Sequence, residues 1–252
     1  MSARSSPVRE PAAGQASDDD VTHDTLLRGR VSLIQPARGF RSSLDPVLLA
    51  SFVRPPYGRF VDIGCGAGPL SFLLLARDPQ ATGVGVEIQP RLARLAARGA
   101  SANGYLDRLD VHTGDVRRAG DLGGNFDLVV TNPPFRPLGT GLLPPDEERA
   151  IANHEVTLRL GEWLLAAARM LSSGGRLAAI FPAARWAELR AGLVVRGLRP
   201  CRLRPVMARP GQVAQRLLVE ARRAPDALRI EPPLVIHSGE GYSPEMTALL
   251  GD

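Results

Sequence analysis

The sequence predicts an α/β fold: a mostly parallel sheet of seven strands with helices on both faces. Two observations carry the prediction. From residue 59 onward, short and nearly continuous apolar runs alternate with helical patterns, as strands buried on both faces require. Candidate ligand-binding residues then fall at successive strand ends, where open parallel sheets hold ligands near the point at which the strand order reverses. The size agrees, since 252 residues that are 44% hydrophobic fit one α/β domain with a tail left over.

The elements follow in chain order. Residues 1–20 are rich in Ser, Pro, Ala, Gly and Asp and hold no apolar run, so they read as disordered and not as a secretory signal. The disordered tail is placed at 1–22 and a single domain at 23–252. That domain divides into a leading segment at 23–56, a catalytic core at 57–222, and a C-terminal tail at 223–252 packed on or near the core. Asp45 stands where it could cap a helix over 47–53. Residues 59–63 (RFVDI) form a strand closed by Gly64-Cys65-Gly66-Ala67-Gly68, and a helix follows over 69–77. Residues 82–88 (TGVGVEI) form the second strand, and 90–102 a helix with Pro90 in its first turn. Strands are expected at 109–115 and 126–131 (FDLVVT), the latter running straight into Asn132-Pro133-Pro134-Phe135. A helix over 155–171 is stopped by Ser172-Ser173-Gly174-Gly175. A strand at 176–181 leads to a helix over 183–196, with Trp186, Leu189, Leu193 and Val194 on one face. Strands at 198–207 and 215–221 close the sheet.

Composition bounds the function. No stretch approaches the roughly 20 apolar residues of a membrane span. Two cysteines, Cys65 and Cys201, give no disulfide framework and suit a reducing cytoplasm. The four histidines have no metal-ligand spacing, so no metal is expected. The net charge is +5, and all 31 basic residues are arginine. Eleven of them lie in 183–229 against Glu188, Glu220 and Asp226, a local +8, while the rest of the chain nets −3 (20 Arg, 23 acidic). Such asymmetry suggests a face for polyanions, with Arg185, Arg190, Arg202, Arg204 and Arg209 as candidate phosphate contacts. An internally paired, solvated face is the alternative.

Four strand ends carry candidate chemistry. Asp62–Gly68 reads DIGCGAG, and its glycines allow a tight turn with close backbone approach by a ligand. A dinucleotide turn asks for G-x-G-x-x-G/A, whereas this is G-x-G-x-G followed by Pro69. A loop that cradles no pyrophosphate, as for S-adenosylmethionine, fits that spacing. Glu87 ends the second strand, where a carboxylate can accept both ribose hydroxyls. Asp115 after Gly114 could accept from an adenine amino group, or simply make a turn.

Asn132-Pro133-Pro134-Phe135 is the most specific signal. An exocyclic amine conjugated to a base is a poor nucleophile because its lone pair is delocalised. Two acceptors, the Asn132 side-chain oxygen and the Pro133 carbonyl, can take its two N–H groups and direct the lone pair at an electrophilic methyl. The prolines stiffen the loop, and Phe135 offers a stacking face worth ~1–3 kcal/mol per base. The Gly/Pro-rich stretch 136–153 that follows is long enough to act as a lid. Taken alone, the motif could also be a loop-closing Asn-Pro turn.

With these residues in view, the chain resembles the class I S-adenosylmethionine-dependent methyltransferases with an N-P-P-[YF] motif, which have a Rossmann-like fold. It is most similar to the bacterial tRNA (adenine-N6)-methyltransferase family, which acts on the adenosine 3′ of the anticodon of valine tRNA. The likeness spans 25–252. It includes Leu33-Ile34-Gln35-Pro36, Ser42-Ser43-Leu44-Asp45-Pro46, Arg209-Pro210-Gly211, Pro232-Pro233-Leu234-Val235-Ile236 and Gly239-Glu240-Gly241-Tyr242-Ser243-Pro244-Glu245. The resemblance implies S-adenosylmethionine as cofactor and tRNA as partner, in a cytoplasmic monomer or weak dimer. It places Asp45, Asp62, Gly64, Cys65, Gly66 and Gly68 around the methionine end. Glu87 and Ile88 lie at the ribose, Asp115 and Val116 at the adenine, and Asn132, Pro133, Pro134 and Phe135 at the target base. Many family members have Tyr where this chain has Phe135, a residue also found in guanine-N2 methyltransferases of ribosomal RNA. A release-factor-type glutamine methyltransferase and a catalytically silent RNA-binding module on the same fold are the other readings.

Overall fold

The fold is that of a computed structural model, which describes residues 20–38, 41–133, 158–225 and 227–251. Strands β1 (Val21–Leu26) and β2 (Val31–Pro36) make an antiparallel hairpin, followed by α1 (Asp45–Phe52). The central sheet then builds from β3 (Arg59–Ile63), β4 (Thr82–Glu87), β5 (Leu109–Thr113), β6 (Phe126–Thr131), β7 (Leu171–Pro182), β8 (Arg199–Met207) and β9 (Arg216–Arg222). Between them lie α2 (Pro69–Arg77), α3 (Pro90–Ala102), α4 (Leu160–Met170) and α5 (Trp186–Val195).

The strand order is β8-β9-β7-β6-β3-β4-β5, and β9 alone among these seven runs antiparallel to its neighbours. Two-residue strands β10 (Arg229–Ile230) and β11 (Leu234–Val235) extend the edge at β8, so among the described residues the sheet has nine strands. A small hairpin of β12 (His237–Ser238) and β13 (Gly241–Tyr242) precedes α6 (Pro244–Gly251). The C-terminal segment packs inward, since Leu234 and Met246 are fully buried with α1 and α2.

Alternation along the strands explains the layers. Phe60, Leu128, Val130, Ala178 and Ile180 point to one apolar cluster, shared with α1, α2, α3 and the β1–β2 hairpin. Val61, Ile63, Val129, Leu177, Ala179 and Phe181 point to the other, covered by α4 and α5. Both faces are therefore buried, and apolar residues at every position are what a parallel sheet needs.

Several expectations change. β1 begins at Val21, so the boundary set at residue 22 falls inside a strand; residues 1–19 lie outside the described residues. Asp45 is not a cap: Leu44 holds the N-cap position, and Asp45 opens the first turn of α1. The long helix is described from Leu160, not 155, because Arg159 is extended and Glu162 turns back to accept from its backbone N–H at 2.8 Å. Ser172–Gly175 do not simply end that helix. They bulge within β7, where Phe126 pairs with Leu171 and Leu128 with Arg176. Residues 183–185 form a 3-10 turn before α5, and Val194 is 54% exposed, off the face made by Leu189 and Leu193. The expected lid at 136–153 lies outside the described residues.

Candidate active site

The chain lays β3, β4 and β5 outward in one direction, then returns so that β6 pairs with the other side of β3. This reversal brings the loops after β3 and β6 together at the carboxyl edge of the sheet. Ile63 pairs with Thr131, and the Thr131 hydroxyl donates to the Ile63 carbonyl at 2.9 Å. The glycine loop and Asn132 thus leave adjacent strands from a common, bonded level.

The loop is held from beneath by β4. The N–H groups of Gly64 and Cys65 both donate to the Val86 carbonyl, at 2.9 and 3.1 Å. Gly64, Gly66 and Gly68 all have positive φ, the region that disfavours a side chain. They differ in what surrounds them. A Cβ on Gly64 would meet nothing within 4 Å, leaving room for a ligand. A Cβ on Gly68 would lie 2.5 Å from the Phe72 ring, so Gly68 serves the close packing at the start of α2.

Glu87 is 6% exposed and accepts one backbone N–H on each oxygen, from Gly66 and from Gln89, both at 2.9 Å. A carboxylate oxygen can accept more than one hydrogen bond, so a buried carboxylate at this strand end has the chemistry to receive ribose hydroxyls. Ile88 beside it is 38% exposed, an apolar side chain at the same rim. Asp62 is 1% exposed and takes the Ser71 hydroxyl at 2.8 Å. Burial, and then the negative Glu87, push its pKa up to about 7 against the opposing pull of Ser71. Burial likewise raises the Cys65 thiol, which is no ready nucleophile.

A pocket joins the pieces. Gln35, Ser42, Ser43 and Pro46 line it from the leading segment, Asp62, Gly64, Cys65, Gly66, Ala67, Pro69 and Leu70 from β3 through α2, and Asn132 from the end of β6. Gln35 is the suture of the leading segment: its amide donates to Asp24 at 2.8 Å and accepts the Ser42 N–H at 2.9 Å. Asp45 does not line this pocket, although Ser43 and Pro46 on either side of it do; it stands 3.6 Å from Arg216 and has its carboxyl pKa raised by burial.

Asp115 and Val116 lie at the next strand end, outside that lining. Asp115 is paired with Arg117 at 2.5 Å, which lowers its pKa, and Arg117 also reaches Glu162 at 3.1 Å. Val116 is buried against the second core cluster. Pro133 is buried; Pro134 and Phe135 lie outside the described residues.

The most telling atom is the Asn132 side-chain oxygen. It is buried, it belongs to a pocket-lining residue, and among the described residues it has no hydrogen-bond partner. Buried acceptors are nearly always paired, because an unmet one costs ~1–3 kcal/mol. An oxygen so placed can accept from a donor in the pocket.

The arginine face is largely committed elsewhere. Arg185 pairs with Glu188 at 2.7 Å, Arg204 with Glu245 at 2.6 Å, and Arg209 donates to the Gly239 carbonyl. Arg202 is 8% exposed and bonded to Glu220, which corrects its assignment as a surface phosphate contact. Arg190 is exposed on α5. Among the described residues there is no group of three potential metal ligands, and no helix is long and apolar enough to cross a membrane.

A sheet of this strand order, with its single reversed strand and a glycine turn meeting a half-buried asparagine at the switch point, defines the class: a Rossmann-like methyltransferase that uses S-adenosylmethionine. The open space at Gly64 and the buried Glu87 carboxylate at the end of β4 fit that cofactor. Comparison with known proteins narrows the class. The chain belongs to the methyltransferase small domain family, whose model matches residues 44–188. A Porphyromonas gingivalis protein named tRNA1(Val) (adenine(37)-N6)-methyltransferase is 36% identical over 87% of this chain and 91% of its own length. A Vibrio campbellii protein of the same name is 29% identical, covering 84% and 87%. Among solved structures, a predicted O-methyltransferase from Agrobacterium tumefaciens is 28% identical with a TM-score of 0.63, covering 81% of this chain and 94% of that one. A ribosomal protein L11 methylase from Lactobacillus delbrueckii shares the fold at 14% identity and a TM-score of 0.53.

Proposed function

We propose that this enzyme methylates the N6 amino group of an adenosine in tRNA, the adenosine 3′ of the anticodon of valine tRNA, in the cytoplasm. The observation that carries the proposal is the Asn132 oxygen beside the glycine loop, buried and without a partner among the described residues. An aromatic amino group has two N–H donors, matching Asn132 and the Pro133 carbonyl; a hydroxyl acceptor would bring one. The names of the relatives support adenine in tRNA over a protein amide or a guanine.

When bound, S-adenosylmethionine supplies an electrophilic methyl group on a sulfonium. The residues of the chain do the rest by placement. Glu87 accepts from the ribose hydroxyls, and the bare backbone at Gly64 admits the cofactor's approach. Asp115 reaches the adenine end by sharing or exchanging its bonds to Arg117. Asn132 draws on the amino hydrogens, so positive charge growing on the nitrogen is met by a fixed dipole. Positioning supplies most of the rate, and no strong base is needed before transfer. The target base must leave its stack to reach Asn132.

The test is direct. Incubate the enzyme with labelled cofactor and total tRNA from a strain lacking the gene, then digest to nucleosides. N6-methyladenosine from one valine tRNA is expected; N2-methylguanosine, or label in protein alone, would overturn the proposal.

A further inference from the structure

A second cavity, of about 310 Å³, opens at the amino edge of the sheet. Arg176 on its wall pairs with Leu128 early in β6, whereas Asn132 follows the other end of that strand. No residue of its lining belongs to the glycine-loop pocket. Five arginines line it (Arg54, Arg176, Arg202, Arg222 and Arg229) with Glu220 as the carboxylate.

Strand pairing sets these cations against one another. Arg222 lies directly opposite Arg176 on β7 and opposite Arg199 on β8. Arg229 on β10 lies opposite Arg202. Like charges directly opposite are destabilising, so the arrangement calls for counter-charge, and among the described residues two carboxylates supply it. Glu220 holds Arg202 and Arg222, each at 3.0 Å, and stands 3.9 Å from Arg176. Glu231 holds Arg54 at 3.0 Å and Arg202 at 3.4 Å. Among the described residues, five lining guanidiniums against these two carboxylates leave +3, and counting Asp226, which the sequence places between the lining residues Pro225 and Ala227, still leaves +2. Burial, together with the positive Arg222 and Arg202, lowers the pKa of Arg176 despite the pull of Glu220.

The deeper cations are also fixed in advance. Arg202 donates to the Phe52 carbonyl at 2.6 Å and stacks over the Phe52 ring at 3.8 Å. Arg176 donates to the carbonyls of Arg54 and Pro56. Their side chains are 10% and 14% exposed, while those of Arg222 and Arg54 at the mouth are 46% and 60% exposed.

We propose that this cavity binds a phosphate-bearing anion, with Arg54, Arg222 and Arg229 gripping phosphoryl oxygens at the mouth and Arg176 and Arg202 supplying fixed positive charge from the floor. Guanidinium forks match phosphate oxygens two at a time. A concave site with buried cations suits a compact phosphoryl group. Its source is either a phosphate of bound RNA or a small free phosphate compound.

The experiment is isothermal titration of the full chain with inorganic pyrophosphate, at ionic strength held constant with sodium chloride. Saturable one-site binding is expected. The double variant Arg222→Gln/Arg229→Gln should weaken it by about tenfold or more, as two charge-assisted contacts are lost. Arg222→Lys/Arg229→Lys should retain most of the affinity, and S-adenosylmethionine binding should be unchanged in both. Arg54→Gln gives an independent loss from another element. Displacement of labelled tRNA by pyrophosphate identifies RNA as the source, and its absence identifies a free phosphate compound. No saturable binding, or equal affinity in the glutamine variants, overturns the proposal.

Discussion

Replacing Asn132 with alanine removes a buried amide oxygen that has no partner among the described residues. No hydrogen bond to that oxygen is lost among the described residues, and an unmet acceptor whose burial costs ~1–3 kcal/mol is shed. The small void left behind offsets part of this relief, so folding stability should stay level or rise by up to ~1 kcal/mol. Catalysis should respond in the opposite direction. Removing one preorganised partner of developing charge costs ~2.7–4 kcal/mol, or roughly 10²–10³ in kcat. The assay pairs single-turnover methylation of tRNA with urea unfolding of the same preparations. A variant that keeps near-normal turnover, or that is destabilised by more than about 2 kcal/mol as a packed core residue would be, refutes the reasoning. Asn132 would then be only a strand-closing turn.

Asp62→Asn should alter stability with pH in a definite sense. The folded pKa of Asp62, about 7, lies above its ordinary 3.8, so folding penalises the charged form. The wild type should lose stability as pH rises from 3.8 through 7, and Asp62→Asn should be more stable than wild type at pH 8, by roughly 1–4 kcal/mol. That gap should close toward pH 4 in thermal melts; a gap that does not change with pH would contradict the burial argument. Gly68→Ala places a Cβ 2.5 Å from the Phe72 ring at φ +88, and should cost about 2–4 kcal/mol in urea unfolding. Arg202→Ala leaves Glu220 buried with one fewer partner and strips the ring of Phe52, and should cost about 3–5 kcal/mol. A cost under 1 kcal/mol would show that Arg202 is as dispensable as a surface charge.

Much of this was readable before any coordinates. β3, β6, α2 and α3 have the expected bounds because apolar runs and proline at the helix start act locally. The β1–β2 hairpin was not, since β1 (VTHDTL) is polar and half-exposed. Its turn places Leu27 and Arg28 at positive φ without the usual Asn-Gly signal. The site divides in the same way. The glycine loop, Glu87 and Asn132 announce themselves by spacing at strand ends. Ser71 and Thr131 do not, because their bonds to Asp62 and to the Ile63 carbonyl depend on tertiary approach. Net charge in 183–229 was visible, but its distribution was not: strand register decides that Arg202 turns inward while Arg222 stands at a cavity mouth.

The central claim is that Asn132 receives an exocyclic amino group of an RNA base. The direct measurement uses valine tRNA carrying purine riboside, which lacks that amino group, at the position 3′ of the anticodon, alongside the same tRNA with adenosine there. The account predicts one methyl per molecule on N6 of the adenosine tRNA and none on the purine tRNA. Equal transfer to both would place the reacting atom elsewhere and contradict it.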